Sequence, residues 1–204
     1  FTPFGKVEIE CCAPYRGKML INTEMGGCSC FTQGDFDKIV ANSTADPEKQ
    51  HFEKMSSGKY LADIIYQAFK CGATEGLFEC PVNLVDFQLK DISLFLCGEQ
   101  NVVYNMFQCD ADRQKAREIC LNLIDRSAKM GAILNASAIL MSCQDKSTPV
   151  AIVSEGTTFN KLPTFRDNFQ KYLAQIFAPH GITFEILQGE ELNLVGTLMA
   201  TMAL

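Results

Sequence analysis

Clustered cations, long apolar runs and paired cysteines are what this sequence is short of, and each shortage closes off a class of function. No run of Lys and Arg occurs anywhere in the 204 residues, the formal charge is −6, and the pI is near 5.0. Nucleic-acid surfaces neutralise phosphates with grouped cations, so nucleic acid is not an expected partner. No apolar stretch approaches the roughly 20 residues of a spanning helix. The longest, LVGTLMATMAL at the C-terminal end, reads as a core helix, so no membrane partner is expected either. Ten cysteines are present, yet Cys11, Cys12, Cys28, Cys30, Cys71, Cys80, Cys97, Cys109, Cys120 and Cys143 show no CxxC pairing. The Cys28-Ser29-Cys30 triplet falls short of the four convergent ligands of a structural zinc site. Cys71, Cys120 and Cys143 sit in apolar helical patterns, where a free thiol packs as a small hydrophobe. A reduced, cytoplasmic protein is the expectation. Leader sequences, low-complexity tracts, repeats and Pro/Gly-rich linkers are also lacking, and the chain opens at Phe1 rather than Met, which leads us to expect a fragment or trimmed product.

What is present is a globular composition, 47% hydrophobic and 21% charged, long enough for one large domain or two small ones. Periodicity predicts a helix after ADPEKQ, with Asp46 as cap and Pro47 in an early helical position. Its buried face is Leu61, Ile64, Ile65 and Phe69, and Gly58 either interrupts it or marks the junction of two segments. A second, longer helix covers DADRQKAREICLNLIDRSAKMGAILNASAILMSC, with Ala116, Ile119, Cys120, Leu123, Ile124 and Ala128 as its stripe. The pattern then alternates: strand PVAIVSEG, helix PTFRDNFQKYLAQIFAPHG closed by Gly181, strand ITFEIL, and a final helix in EELNLVGTLMATMAL. Strand–helix–strand order of this length favours a crossover and parallel strands, hence an α/β core.

In such sheets ligands gather beyond the carboxyl ends of strands. Two loops suit that place. In KMLINTEMGG, Met19 to Ile21 read as a strand and Gly26-Gly27 as its breaker, leaving Glu24 at the turn. Glu24 is either a hydrated turn carboxylate or an acceptor for a ligand. In SEGTTFN, Gly156 permits close backbone approach and Thr157 and Thr158 supply hydroxyls, a composition that suits phosphate but also an ordinary strand-capping turn.

Taken together, INTEMGG and DPEKQHFEKMSSGKYL resemble the hexokinase family of sugar kinases. That family carries I-N-T-E-W-G at a strand end and G-K-Q-x-F-E-K-M-x-S-G-x-Y-L at a helix start. The matching residues are Ile21-Asn22-Thr23-Glu24, Lys49-Gln50, Phe52-Glu53-Lys54-Met55, Ser57-Gly58 and Tyr60-Leu61. VSEGTTFNKLPTF is similar to the family's D-G-[ST]-x-Y-x-x-x-P-x-F segment, and the last helix to its G-[ST]-G-x-G-A-A-L, with residues 1–15 and 78–112 matching least clearly. The resemblance implies the large lobe of an actin-like ATPase (ribonuclease H-like) sugar-kinase fold, spanning residues 1–204, with a mixed sheet and long helices. It implies that Glu24 and Glu53 clamp the hydroxyls of a hexose, with Asn22 and Gln50 nearby. It assigns Gly58, Lys59, Gly156, Thr157 and Gly196 to the nucleotide side, and ATP with Mg2+ as cofactor of the complete enzyme. A carboxylate offers about four lone-pair sites, so two fixed carboxylates can sort one arrangement of sugar hydroxyls from another.

This sequence departs from the family at Met25, where Trp is expected, at Glu155, where Asp is expected, and at Leu192, Asn193 and Leu194, where small residues are expected. It also contains no Asn-Asp pair, the source of the family's catalytic base, and no Gly-rich hairpin before Glu24. Both belong to a small N-terminal lobe, which is therefore expected elsewhere in the parent chain or in a second chain. Three functions follow: the large lobe of a working hexose kinase, inactive by itself; a non-catalytic sugar-sensing relative; or an interaction domain whose carboxylates are surface charge. His51 reads as a helix-start residue and His180 as a neighbour of the Gly181 cap, neither catalytic.

Overall fold

Helix α5, Asp110–Ser142, is 33 residues long and organises everything around it. The structure is a computed structural model describing residues 22–142 and 146–188. The strand expected at Met19–Ile21, the final helix, Gly196, and the bulky Leu192 and Leu194 lie outside the described residues. Before α5 come α1 (Asp35–Asn42), α2 (His51–Ser56), α3 (Gly58–Thr74) and α4 (Leu89–Leu96). After it come β1 (Val150–Val153), α6 (Thr157–Lys161), α7 (Phe165–Phe177) and β2 (Phe184–Leu187).

The first half of α5 builds one core. Ala116, Cys120 and Ile124 face Leu61, Ile65 and Phe69 of α3 and Ile92 and Phe95 of α4. Phe107 lies at the centre, its ring 5.2 Å from Phe69 and 5.0 Å from Phe78. Arg117 reaches across from α5 and donates to the carbonyls of Phe95 and Leu96 at the end of α4, where the Phe95 carbonyl also accepts Gly98 N–H at 3.1 Å.

The second half builds another core with small residues. Ala128, Ala132 and Ala136 recur every four positions, so the backbone of α7 approaches closely and fits Phe169, Leu173 and Phe177 over them. Strands β1 and β2 are parallel, Val150 beside Phe184 and Val153 beside Leu187, as the strand–helix–strand order leads one to expect. Val150, Ile152, Phe184 and Ile186 point inward to this core.

The predicted helix start at Asp46–Pro47 is displaced. Residues 46–49 form a turn, and helix begins only at His51. The reason is Lys54: its buried ammonium takes the Asp46 carbonyl and, at 3.2 Å, the Asp46 carboxylate, so Asp46 folds back over α2 instead of capping it. Gly58 marks a junction, since Ser57 has extended backbone (φ −73°, ψ 157°) between α2 and α3.

Candidate functional site

Glu24 stands in a conformation that carboxylates rarely adopt. Its φ of 45° and ψ of 45° lie in the left-handed region, with a steric cost of about 1–3 kcal/mol for a residue with a Cβ. Three contacts hold it there: Asn22 Nδ2 donates to Glu24 Oε1 at 2.7 Å, Glu24 N–H donates to Asn22 Oδ1 at 3.4 Å, and Gly27 N–H donates to the Glu24 carbonyl at 3.1 Å. The chain then turns through a 3-10 segment, Met25–Gly27. The Glu24 carboxylate is left exposed.

That turn rests on the start of α2. Phe52 N–H donates to the Cys28 carbonyl at 3.1 Å, and the Phe31 and Phe52 rings stand 6.0 Å apart. A methyl group at Gly26 would lie 2.8 Å from Gln50 Oε1 and 3.6 Å from Glu53 Oε2. The turn lies close against those two side chains. Gln50 is also left-handed, with φ 52°. Among the described residues three non-glycine positions have positive φ, and two of them are Glu24 and Gln50 (the third is Thr164). Gln50 and Glu53 thus lie beside the turn that carries Asn22 and Glu24, and all four residues are exposed.

Helix α2 is anchored from beneath. Ser127 Oγ of α5 donates to the Ser56 carbonyl at 3.1 Å, and Arg126 Nη2 to the Met55 carbonyl at 3.4 Å. Arg126 meanwhile forks onto the buried Asp37 of α1, at 2.7 and 2.8 Å. Lys54, Asp37 and Arg126 are positioning residues whose roles the sequence did not single out. For Asp37 and Arg126 the only signal is a charged residue on an otherwise apolar helix face, whereas Lys54 lies within the Phe52–Met55 motif.

The second candidate cluster lies at the start of α3. A Cβ on Gly58 would stand 2.8 Å from Thr158 Oγ1 and 3.4 Å from Leu89 Cδ2, so packing alone explains the glycine. The same contact brings the SEGTTFN loop against the SSGKYL helix start. Gly156 has φ 106° and its Cβ direction is open; Thr157 opens α6 and is exposed. Lys59 is exposed, its ammonium 5.5 Å from the Tyr60 ring centroid. His51 opens α2 and His180 precedes Gly181, which caps at φ 65°; both fit their expected places.

One group of metal-ligand-type side chains converges among the described residues: Cys80, Cys109 and Asp112, within 4.8 Å of one another. Asp112 is already occupied. It accepts the N–H groups of Glu79 (2.8 Å) and Cys80 (2.9 Å), and the Lys115 ammonium stands 3.5 Å away. Burial pushes its carboxyl upward, but those two N–H groups, the Cys109 thiol and Lys115 outweigh it and hold the carboxyl below its ordinary range. The trio is a tie between a loop and α5.

The match to known proteins is broad. The hexokinase family model covers residues 4–203. Bos taurus Hexokinase-1 is 29% identical over 191 residues, 82% of this chain and 21% of its own length. Brugia malayi hexokinase is 24% identical over 208 residues, 90% of this chain and 35% of its own. The fold agrees with a hexokinase crystal structure (TM-score 0.69, 15% identity, 83% of this chain and 40% of that one). It agrees also with a Schistosoma mansoni hexokinase complexed with glucose (TM-score 0.63, 18% identity, 78% and 39%). The chain therefore spans about a fifth to a third of the relatives it matches, with an α/β actin-like sugar-kinase architecture. With the family model matched almost end to end and the fold shared, this chain belongs to the hexokinase family.

Proposed function

We propose that residues 1–204 are the large, sugar-binding lobe of an ATP-dependent hexose kinase, acting in the cytoplasm and completed by a small lobe elsewhere in the parent protein. The observation that carries the proposal is the joining of the Glu24 turn to α2, which sets Gln50 and Glu53 beside Gly26, two residues from Glu24. Glu24 and Glu53 accept hydroxyl protons of a hexose such as glucose, while Asn22 and Gln50 supply amide donors and acceptors. Strained backbone at Glu24 and Gln50 fits a site shaped for a ligand more than for stability.

The chemistry of the α3 start suits a nucleotide phosphate. Ser57 makes no side-chain cap there, so the leading N–H groups of a 17-residue helix are unengaged by it, and Lys59 adds a cation. Gly58, Lys59, Gly156 and Thr157 would hold ATP with Mg2+, with Gly196 as a further contact outside the described residues. Bound Mg-ATP supplies the phosphoryl group. This chain's part is to hold the sugar so that its 6-hydroxyl faces that group; the proton is removed by an Asp of the missing lobe, so residues 1–204 alone are inactive. A non-catalytic sugar sensor is the second reading, favoured by Leu192 and Leu194, whose bulk opposes close approach of a nucleotide.

Calorimetry tests both. Glucose binds the chain, and Glu24→Ala or Glu53→Ala each weakens it by about ten- to a hundredfold, the worth of a charge-assisted hydrogen bond. Unchanged affinity in both variants overturns the clamp. Glucose binding with no binding of an ATP analogue to the full-length parent favours the sensor.

A further inference from the structure

Among the described residues two pairs of thiols meet, and they differ in what surrounds them. Cys80 and Cys109 stand at the Asp112 carboxylate, which already engages the Cys109 thiol. Cys28 and Cys30 have each other: their Sγ atoms are 2.9 Å apart, with Cys30 exposed and Cys28 half-buried. Side-chain rotation separates this contact from a bond of about 2.05 Å.

The backbone between them is the hinge of the site already described. Cys28 N–H closes the 3-10 turn on the Met25 carbonyl at 3.0 Å, and the Cys28 carbonyl accepts Phe52 N–H from the first turn of α2. A bridge between residues two apart closes a small ring through Cys28, Ser29 and Cys30. Such a ring redirects the peptide planes inside it, including the one that bears the Cys28 carbonyl. We infer that Cys28 and Cys30 form a reversible dithiol–disulfide site, closed by a hydroperoxide, and that closing it uncouples the Glu24 turn from α2.

The step balances with hydrogen peroxide as oxidant. One thiolate attacks a peroxide oxygen; an S–O bond forms, the O–O bond breaks, and the departing hydroxide takes a proton and leaves as water. The second thiolate attacks the sulfenic sulfur; an S–S bond forms, the S–O bond breaks, and a second water leaves. Two electrons pass from the sulfur pair to the peroxide. Burial, and then its neighbour Cys28, pushes the Cys30 thiol above its ordinary range, so the reaction accelerates toward alkaline pH. A strained ring of this kind is readily reduced, which makes the bridge reversible.

The 204-residue chain is treated with hydrogen peroxide, alkylated, digested and weighed. The expected product is a peptide joining Cys28 to Cys30, lighter by two hydrogens, formed faster at alkaline pH and reopened by dithiothreitol. In the oxidised chain the Phe52 amide exchanges with solvent about five- to tenfold faster, as loss of one hydrogen bond requires, and Cys30→Ser shows neither change. Free Cys28 and Cys30 after treatment, over-oxidation without a bridge, or a bridge confined to Cys80–Cys109 overturns the inference. So does a bridge that leaves Phe52 protection intact. The consequence for sugar rests on the proposed function: glucose affinity falls on oxidation of the wild type and not of Cys30→Ser. Absence of glucose binding to the reduced chain defeats that function, whereas the bridge and the Phe52 exchange are read without any sugar.

Discussion

Asp112 is a single carboxylate that ties a loop to the head of the longest helix. Its carboxyl is held below its ordinary 3.8, so its contribution to stability is fully present above that value and is lost as pH falls through the native one. Lys115 is the mirror case. Its hydrogen bond to Glu79, opposed by burial and reinforced by the charges of Glu79 and Asp112, raises its ammonium above 10.5, so its contribution disappears only as pH rises beyond that. Asp112→Asn therefore lowers the melting temperature at neutral pH and flattens the acid limb of a melting-temperature profile below about pH 4. An unaltered acid limb would assign the tie to the backbone alone. At this scale the sequence was partly legible. Glu24, Glu53 and Lys54 all fall on motif residues, but the burial of Lys54 does not follow from them, because nothing in FEKM tells a solvated lysine from one folded under its helix onto Asp46.

Among the elements, α3, α7 and the first half of α5 were legible from helical period, and both described strands from short β-branched runs bounded by turn residues. At the start of α2 the capping chemistry of Asp46-Pro47 is overridden by the Lys54 ammonium, which holds Asp46 away from the helix end. Helices α1 and α4 are eight residues each, too short for a clear period, and went unannounced. The end of α3 shows packing that no local pattern predicts. A Cβ on Gly72 would meet Phe78 Cε2 at 2.9 Å and Leu77 Cδ2 at 3.2 Å, with the Phe78 ring itself held against Phe107. Alanine ordinarily gains about 1 kcal/mol over glycine inside a helix. Here overpacking costs about 1–3 kcal/mol and wins, so Gly72→Ala lowers the urea midpoint. A raised midpoint would mean that the aromatic cluster yields.

Over the whole molecule the joint between α1, α2 and α5 depends on Arg126 and Asp37, residues 89 positions apart. Arg126→Ala leaves Asp37, 1% exposed, without its counter-charge, and unfolding free energy falls by about 3–5 kcal/mol. Asp37→Ala/Arg126→Ala loses less than the two single losses added, which denaturant titration of the four proteins measures; strict additivity would deny the coupling. No spacing rule joins residues so far apart in sequence, so this joint was invisible until the chain was folded. Helix α5 has a consequence of its own. At about 1.5 Å per residue it runs roughly 50 Å, and one continuous ladder of peptide hydrogen bonds serves as the keel for both the aromatic cluster and the alanine-lined one. Neither can melt by itself without leaving half of that keel bare to water, so heat dissolves the two in a single event.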